Sequence, residues 1–203
     1  VAMIFYRLLR EETRAIYKTD VSPFTDVAAD AWYTTAIATL ANADILAGRG
    51  NGIFDPEAQI TRAEFATICA RFDDLELNED ISFPDVDKDH WAYSYIMSAA
   101  AKGWVKGFED GTFGPEKQIT RAEVMTLVNR VLKRAAEPDQ LEMSKATGDP
   151  IHIWPDNKNP YQWFYVPVME ATHGHDNDSK FDSNENLVLE TWTEIVDSPV
   201  GNE

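Results

Sequence analysis

Residues 24–71 recur as residues 83–130, displaced by 59 positions with no insertion or deletion. Asp26/Asp85, Val27/Val86, Asp30/Asp89, Trp32/Trp91, Ile37/Ile96, Gly48/Gly107, Gly52/Gly111, Phe54/Phe113 and Pro56/Pro115 all coincide. The run Gln59-Ile-Thr-Arg-Ala-Glu64 returns unchanged as Gln118-Ile-Thr-Arg-Ala-Glu123. A duplicated unit must keep its core and its turns. This one has also kept a polar Thr-Arg-Ala-Glu string, which a core does not need.

Each copy reads as helix, turn-rich loop, helix. Trp32, Ala36, Ile37 and Leu40 give an apolar stripe at helical spacing, and Ala47–Pro56 carries three glycines and a proline, so it is a loop. A second helix starts at Thr61 and places Phe65, Ile68, Cys69 and Phe72 on one face; Val124, Leu127, Val128 and Val131 repeat that face. Cys69, the single cysteine, faces Val128 in the alignment and is assigned to packing. The ends look like half copies. Val1–Leu9 aligns with Phe65–Asp73, with Val1, Ile4, Phe5 and Leu8 on the stripe. Trp154-Pro-Asp156 resembles Phe83-Pro-Asp85, and Trp163, Val168 and Ala171 resemble a first helix. Spacers fall at 73–80, which is acidic, and at 137–150; the tail after Gly174 is polar until Leu187–Ile195, read as a short helix or strand. Val1, rather than Met, suggests a start removed by processing or design.

Composition narrows the function. With 35 acidic and 18 basic residues the chain carries a formal charge of −17, which disfavours nucleic-acid backbones and anionic membranes. No stretch approaches the roughly 20 apolar residues that a membrane span needs, so neither nucleic-acid binding nor membrane insertion is expected.

Thr61 and Glu64, like Thr120 and Glu123, form the pattern of a capping box, each side chain satisfying the other's orphan N–H. Arg62 and Arg121 are not covered by that account. A cation in the first turn opposes the helix dipole, at a cost of about 0.3–1 kcal/mol when exposed. Two explanations stand side by side: an anion bound at open helix amides, or a structural salt bridge to Asp26, Asp30 or their second-copy partners.

Phe-x-Asp-Val, a tryptophan, a Gly…Asp/Asn-Gly-x-Phe-x-Pro loop and Ile-Thr-Arg-Ala-Glu together resemble the S-layer homology repeat of bacterial surface proteins. The resemblance covers 24–72 and 83–132, lacks the Thr-Arg-Ala-Glu motif at 1–19 and is faint at 154–173. It implies a mainly α fold of tandem helix–loop–helix repeats, arranged as a three-lobed pseudo-trimer around a central helical bundle. The implied divisions are a truncated repeat at 1–20, complete repeats at 24–76 and 83–135, a linker at 136–153, and a degenerate half repeat with tail at 154–203. It also implies an extracellular place at the bacterial cell wall and non-covalent anchoring to secondary cell-wall polysaccharide through a pyruvylated sugar carboxylate. Modified peptidoglycan is the alternative ligand, and other copies of the surface protein are possible partners.

Carried over by position, Arg62 and Arg121 would hold the carboxylate, and Trp32 and Trp91 would wall a sugar face or else pack in the core. Asp26, Asp85, Gly48, Gly107, Glu64 and Glu123 would shape the groove, unless Asp26 and Asp85 only cap a helix entry. The loops differ, Gly-Arg-Gly-Asn-Gly52 against Gly-Phe-Glu-Asp-Gly111, so the two grooves need not be equivalent. No cofactor is called for. Asp85–Asp89 lacks the glycine and acidic end of a calcium loop. His173, His175, Asp176 and Asp178 form a weak metal candidate in a polar loop. The carboxylates, Asp149 and Asp156 among them, and His152 show no catalytic arrangement. A binding module is therefore expected rather than an enzyme, with a purely structural assembly module and a wall hydrolase as rivals.

Overall fold

The computed structural model describes residues 1–73, 75, 81–134, 153–181 and 187–196, the last two stretches including strands described by backbone and register. The acidic spacer beyond Asp73 (except Leu75), the 136–153 linker up to residue 152 with Asp149 and His152, and the last seven residues lie outside it. The fold is mainly α. Helices α1 (Ala2–Leu8), α2 (Glu11–Tyr17), α3 (Thr34–Asn42), α4 (Arg62–Arg71), α5 (Tyr93–Ala101), α6 (Arg121–Val131) and α7 (Tyr165–Thr172) are followed by strands β1 (Gly174–Phe181) and β2 (Leu187–Val196). The chain divides into two compact units, Val1–Ile119 and Thr120–Glu203.

In the N-terminal unit α1 packs on α3, and α4 on α5. Phe5 is fully buried, with its ring centroid 5.6 Å from Phe65 and 5.2 Å from Phe72. Of the α1 stripe expected from sequence, Phe5 goes to the core; Val1 stays at the exposed edge, and Leu9, the residue after Leu8, is buried instead. Cys69 is buried in the same core, and burial pushes its thiol well up, so it packs as a small apolar side chain. In the C-terminal unit α6 packs on α7, where Asn129 Nδ2 donates to the Pro167 carbonyl at 2.8 Å. Pro167 falls in the first turn of α7, where a missing N–H costs nothing.

The loops are held by their own repeat's first aspartate. Asp26 accepts the N–H groups of Phe54 (2.9 Å) and Asp55 (2.6 Å); Asp85 accepts those of Phe113 (2.8 Å) and Gly114 (2.7 Å). Asp55 and Gly114 occupy the same left-handed position, with φ of 61° and 69°. Phe24 packs on Phe54, and Phe83 on Phe113, at 5.1 and 5.3 Å between centroids. Gly48 and Gly107 are required by this packing: a Cβ on Gly107 would stand 2.8 Å from the Phe83 ring and 2.9 Å from the Thr112 carbonyl oxygen, and one on Gly48 would collide with the Ile53 oxygen and the Phe24 ring.

The tail departs from expectation. The polar stretch after Gly174, read as a loop, is strand β1, antiparallel to β2 with Gly174 opposite Val196 and His175 opposite Ile195. Its partner Leu-Val-Leu-Glu-Thr-Trp-Thr-Glu-Ile-Val is rich in β-branched and aromatic residues, and that supplies the strand preference the polar half lacks.

Backbone N–H donors from Phe54 and Asp55 hold the Asp26 carboxyl below the usual range. For Asp85 partial desolvation pushes upward, but the Phe113 and Gly114 donors outweigh it and the net direction is also down. A carboxylate lowered on folding contributes stability above its unfolded value of about 3.9, and that contribution is lost as pH falls through the folded value. Asp85→Asn is therefore expected to lower the thermal midpoint at pH 7, with the deficit against wild type shrinking below about pH 4. Circular dichroism melts across pH 2–7 would measure it.

Candidate functional site

Both Thr-Arg-Ala-Glu strings start helices as capping boxes. Thr61 Oγ1 accepts the Glu64 N–H at 3.2 Å while Glu64 Oε2 accepts the Thr61 N–H at 2.7 Å; Thr120 and Glu123 do the same at 3.3 and 2.8 Å. The two arginines that follow differ sharply.

Arg62 is buried, 7% exposed. Its Nε donates to the Phe113 carbonyl at 2.8 Å and its Nη2 to the Lys106 carbonyl at 3.0 Å. The guanidinium lies over the Phe108 and Phe113 rings at 4.5 and 4.8 Å. The first-turn amides of α4 are not open either: Arg62 N–H donates to Lys117 O at 2.8 Å and Ala63 N–H to Pro115 O at 3.0 Å. The premise for an anion at this helix end, free amides beside a free fork, therefore does not hold at α4. Asp26, one of the carboxylates expected to answer the cation, is engaged with its own loop amides instead. The carbonyl dipoles of the second repeat's loop contribute to offsetting the cost of a cation in the first turn.

Arg121 is exposed and pairs with Asp156, its Nη1 lying 2.7 and 2.6 Å from the two carboxylate oxygens. Its guanidinium lies 5.1 Å from the Trp154 ring. The hydrogen bond from Arg121 holds the Asp156 carboxyl below the usual range. Asp156 aligns with Asp85, but no Gly-rich loop follows it in the degenerate copy. The carboxylate that elsewhere fastens a loop here takes the arginine. This is the salt-bridge reading, with a partner the sequence did not suggest.

A groove of about 920 Å³ opens in the N-terminal unit, lined by Trp32, Gly48, Arg49, Phe54, Thr61, Glu64, Arg71, Trp91 and Glu116 among others. Trp32 does not join the α3 stripe: it lies two residues before the helix and is 77% exposed, as Trp91 is 58% exposed ahead of α5. Core packing is thus excluded for both. Gly48 lines the groove, while Gly107, Asp26, Asp85, Arg62 and Arg121 are not among its lining residues. His90 stacks on Trp91, with Nε2 3.2 Å from Glu116 Oε1.

A second groove of about 520 Å³ lies in the C-terminal unit, lined by Thr120, Arg121, Glu123, Asp156, Asn157 and Trp163 among others. Trp163 is 64% exposed and again directly precedes a helix N-cap, so Trp32, Trp91 and Trp163 share one position ahead of a helix.

Sequence reading missed Arg49 and Arg71 as groove cations. Arg71 did carry a signal: Arg7, Arg71 and Arg130 recur at one position in the copies. Arg71 Nη2 donates to Tyr95 Oη at 3.3 Å, and its guanidinium lies 5.1 Å from that ring. Of the metal candidates, His173 is buried at the end of α7 with Nδ1 2.9 Å from the Met169 carbonyl, whereas His175, Asp176 and Asp178 lie on β1 rather than in a loop. No group of three metal-ligating side chains converges among the described residues, and no helix among them is long and apolar enough to cross a membrane.

The two arginines should respond to truncation in the same direction but to very different degrees. Arg62→Ala leaves two carbonyls short of a donor and is expected to cost about 2–4 kcal/mol. Arg121→Ala breaks an exposed pair and should cost under about 1 kcal/mol. Denaturant melts of the two variants would measure the contrast.

The S-layer homology domain pattern matches residues 23–66 and 82–125. A cellulosome-anchoring protein of Acetivibrio thermocellus is 34% identical over 158 residues, 75% of this chain and 35% of that protein. Cell surface glycoprotein 1 of the same organism is 31% identical over 185 residues, 86% of this chain and 8% of its own length. The surface-layer 125 kDa protein of Lysinibacillus sphaericus is 34% identical over 112 residues, 55% of this chain and 10% of that protein. The chain thus spans about a third or less of these relatives' lengths, and the bacterial cell surface is the setting they share.

Proposed function

We propose that this chain, which belongs to the S-layer homology family, holds a surface protein to the bacterial cell wall by binding secondary cell-wall polysaccharide in its grooves. The observation that carries this reading is the pair of exposed indoles, Trp32 and Trp91, lining one groove that also presents guanidinium groups. An indole left in water at a cost in apolar exposure offers a flat face to a sugar ring, and a concave groove with a few polar groups supplies orientation. The anchoring named for one relative supports the same reading.

The ligand group is a carboxylate, as on a pyruvylated sugar. Glu64 and Glu123 cap the helices that edge the two grooves, and Gly48 and Gly107, with Asp26 and Asp85, hold the loops in shape. Arg121 is the Thr-Arg-Ala-Glu arginine able to receive a ligand carboxylate, because exchanging an exposed partner costs little; Arg62 acts by fixing the second loop. The repeat limits 24–76 and 83–135, with the half repeats at 1–20 and 154–203 around the 136–153 linker, belong to this proposal. So does the absence of catalysis: the chain binds and does not turn over its ligand.

Co-sedimentation with purified sacculi tests it. Wild type should pellet with intact sacculi, and Trp32→Ala/Trp91→Ala should bind about tenfold or more weakly while keeping its thermal midpoint. Binding that survives removal of the secondary polysaccharide would point to peptidoglycan instead. A folded wild type that never pellets would leave assembly with other copies as the function.

A further inference from the structure

The first repeat's loop carries a cation where the second carries a ring. Arg49 and Phe108 stand 59 positions apart, each directly after the close-packed glycine of its loop. Phe108 packs against two cations, Lys117 of its own repeat with Nζ 4.2 Å from the ring centroid and Arg62 of the first repeat with its guanidinium 4.5 Å away. Arg49 lines the groove instead, its side chain 43% exposed. Its Nη2 lies 3.2 Å from the Gln59 carbonyl and 3.3 Å from Glu64 Oε1.

We infer that Arg49 is the specificity-determining residue of this groove, selecting carboxylate-bearing sugars over neutral ones. The inference rests on the groove being the polysaccharide site. Its present partners are replaceable at low cost, because an exposed ion pair at this distance contributes little. Glu64 is not stranded when Arg49 leaves: its Oε2 still accepts the Thr61 N–H at 2.7 Å, at the N-terminus of α4 where the helix dipole favours a negative charge. The planar fork can then take both oxygens of a ligand carboxylate. Arg62 has no such freedom, since leaving would expose buried carbonyls to no donor. Arg71 is tied to Tyr95 by hydroxyl and ring. The loop frame is the same in both repeats, so the residue after the close-packed glycine is what gives the first loop a cation and the second a ring.

The test uses the full chain as wild type, Arg49→Phe and Arg49→Lys. The probes are polysaccharide released from sacculi and the same polysaccharide with its carboxylates reduced to alcohols. Wild type is expected to bind the native form at least about tenfold more tightly than the reduced form. Arg49→Phe, which borrows the second repeat's residue and should keep the wild-type thermal midpoint, is expected to bind both forms alike at the weaker level. Arg49→Lys should recover part of the preference. Undiminished discrimination by Arg49→Phe overturns the role of Arg49 and leaves the polysaccharide site intact, as does equal binding of both forms by wild type. Failure of wild type to bind either form overturns the polysaccharide reading itself, and the inference with it.

Discussion

A buried guanidinium joined to a loop's carbonyls organises the N-terminal unit. Arg62 projects from the first turn of α4 and meets Phe113 O and Lys106 O, while the amides of its own turn meet Lys117 O and Pro115 O. Phe113 is the shared member: its N–H is held by Asp85, its carbonyl by Arg62 and its ring by Phe83. A buried cation left without these partners would cost several kcal/mol, so the contact requires the loop to be formed before it is stable. Closure of the second repeat's loop and burial of Arg62 are therefore coupled. The groove is built on that frame, with Thr61 and Glu64 at its edge and Trp32 exposed across it.

The stretch that begins at Trp154 shows what happens when one part of the frame is missing. Asp156 keeps the place of Asp85 but is followed by no glycine-rich loop in sequence, and among the described residues Arg121 pairs with Asp156 rather than with loop carbonyls. The two leftover charges pair with each other at the surface. The same motif thus yields a buried fastener in one repeat and a displaceable ion pair in the other. That difference arises from what the following copy offers, not from the motif.

Much of the fold was legible because it rests on local rules. The 59-residue repeat and the helical stripes pointed to the paired helices and the Thr-x-x-Glu boxes to the starts of α4 and α6, whereas the single helix read over 1–20 is two, α1 and α2. The loop glycines were legible as well, since turns tolerate few substitutes. The roles of the arginines were not. Whether Arg62 faces solvent or a neighbouring carbonyl depends on contacts 44 to 51 residues away in sequence. Trp32 was ambiguous for a related reason: a residue two positions ahead of a helix can continue its stripe or turn out, and only the chain path decides. Arg49 lay in plain view as a departure between the two loops, but its meaning needed the groove. The β1 strand was hidden because its polar residues owe their conformation to β2.

In the proposed division of labour Arg62 builds the groove while Trp32, Trp91 and Arg49 face the ligand. Nitrogen-15 NMR of the tryptophan indole and arginine Nε groups, followed during titration with wall polysaccharide fragments, tests it most directly. The Trp32, Trp91 and Arg49 signals are expected to shift in proportion to occupancy while Arg62 Nε–H stays at its carbonyl-bonded position. Shifts centred on Arg62, with the two indoles unmoved, would contradict it.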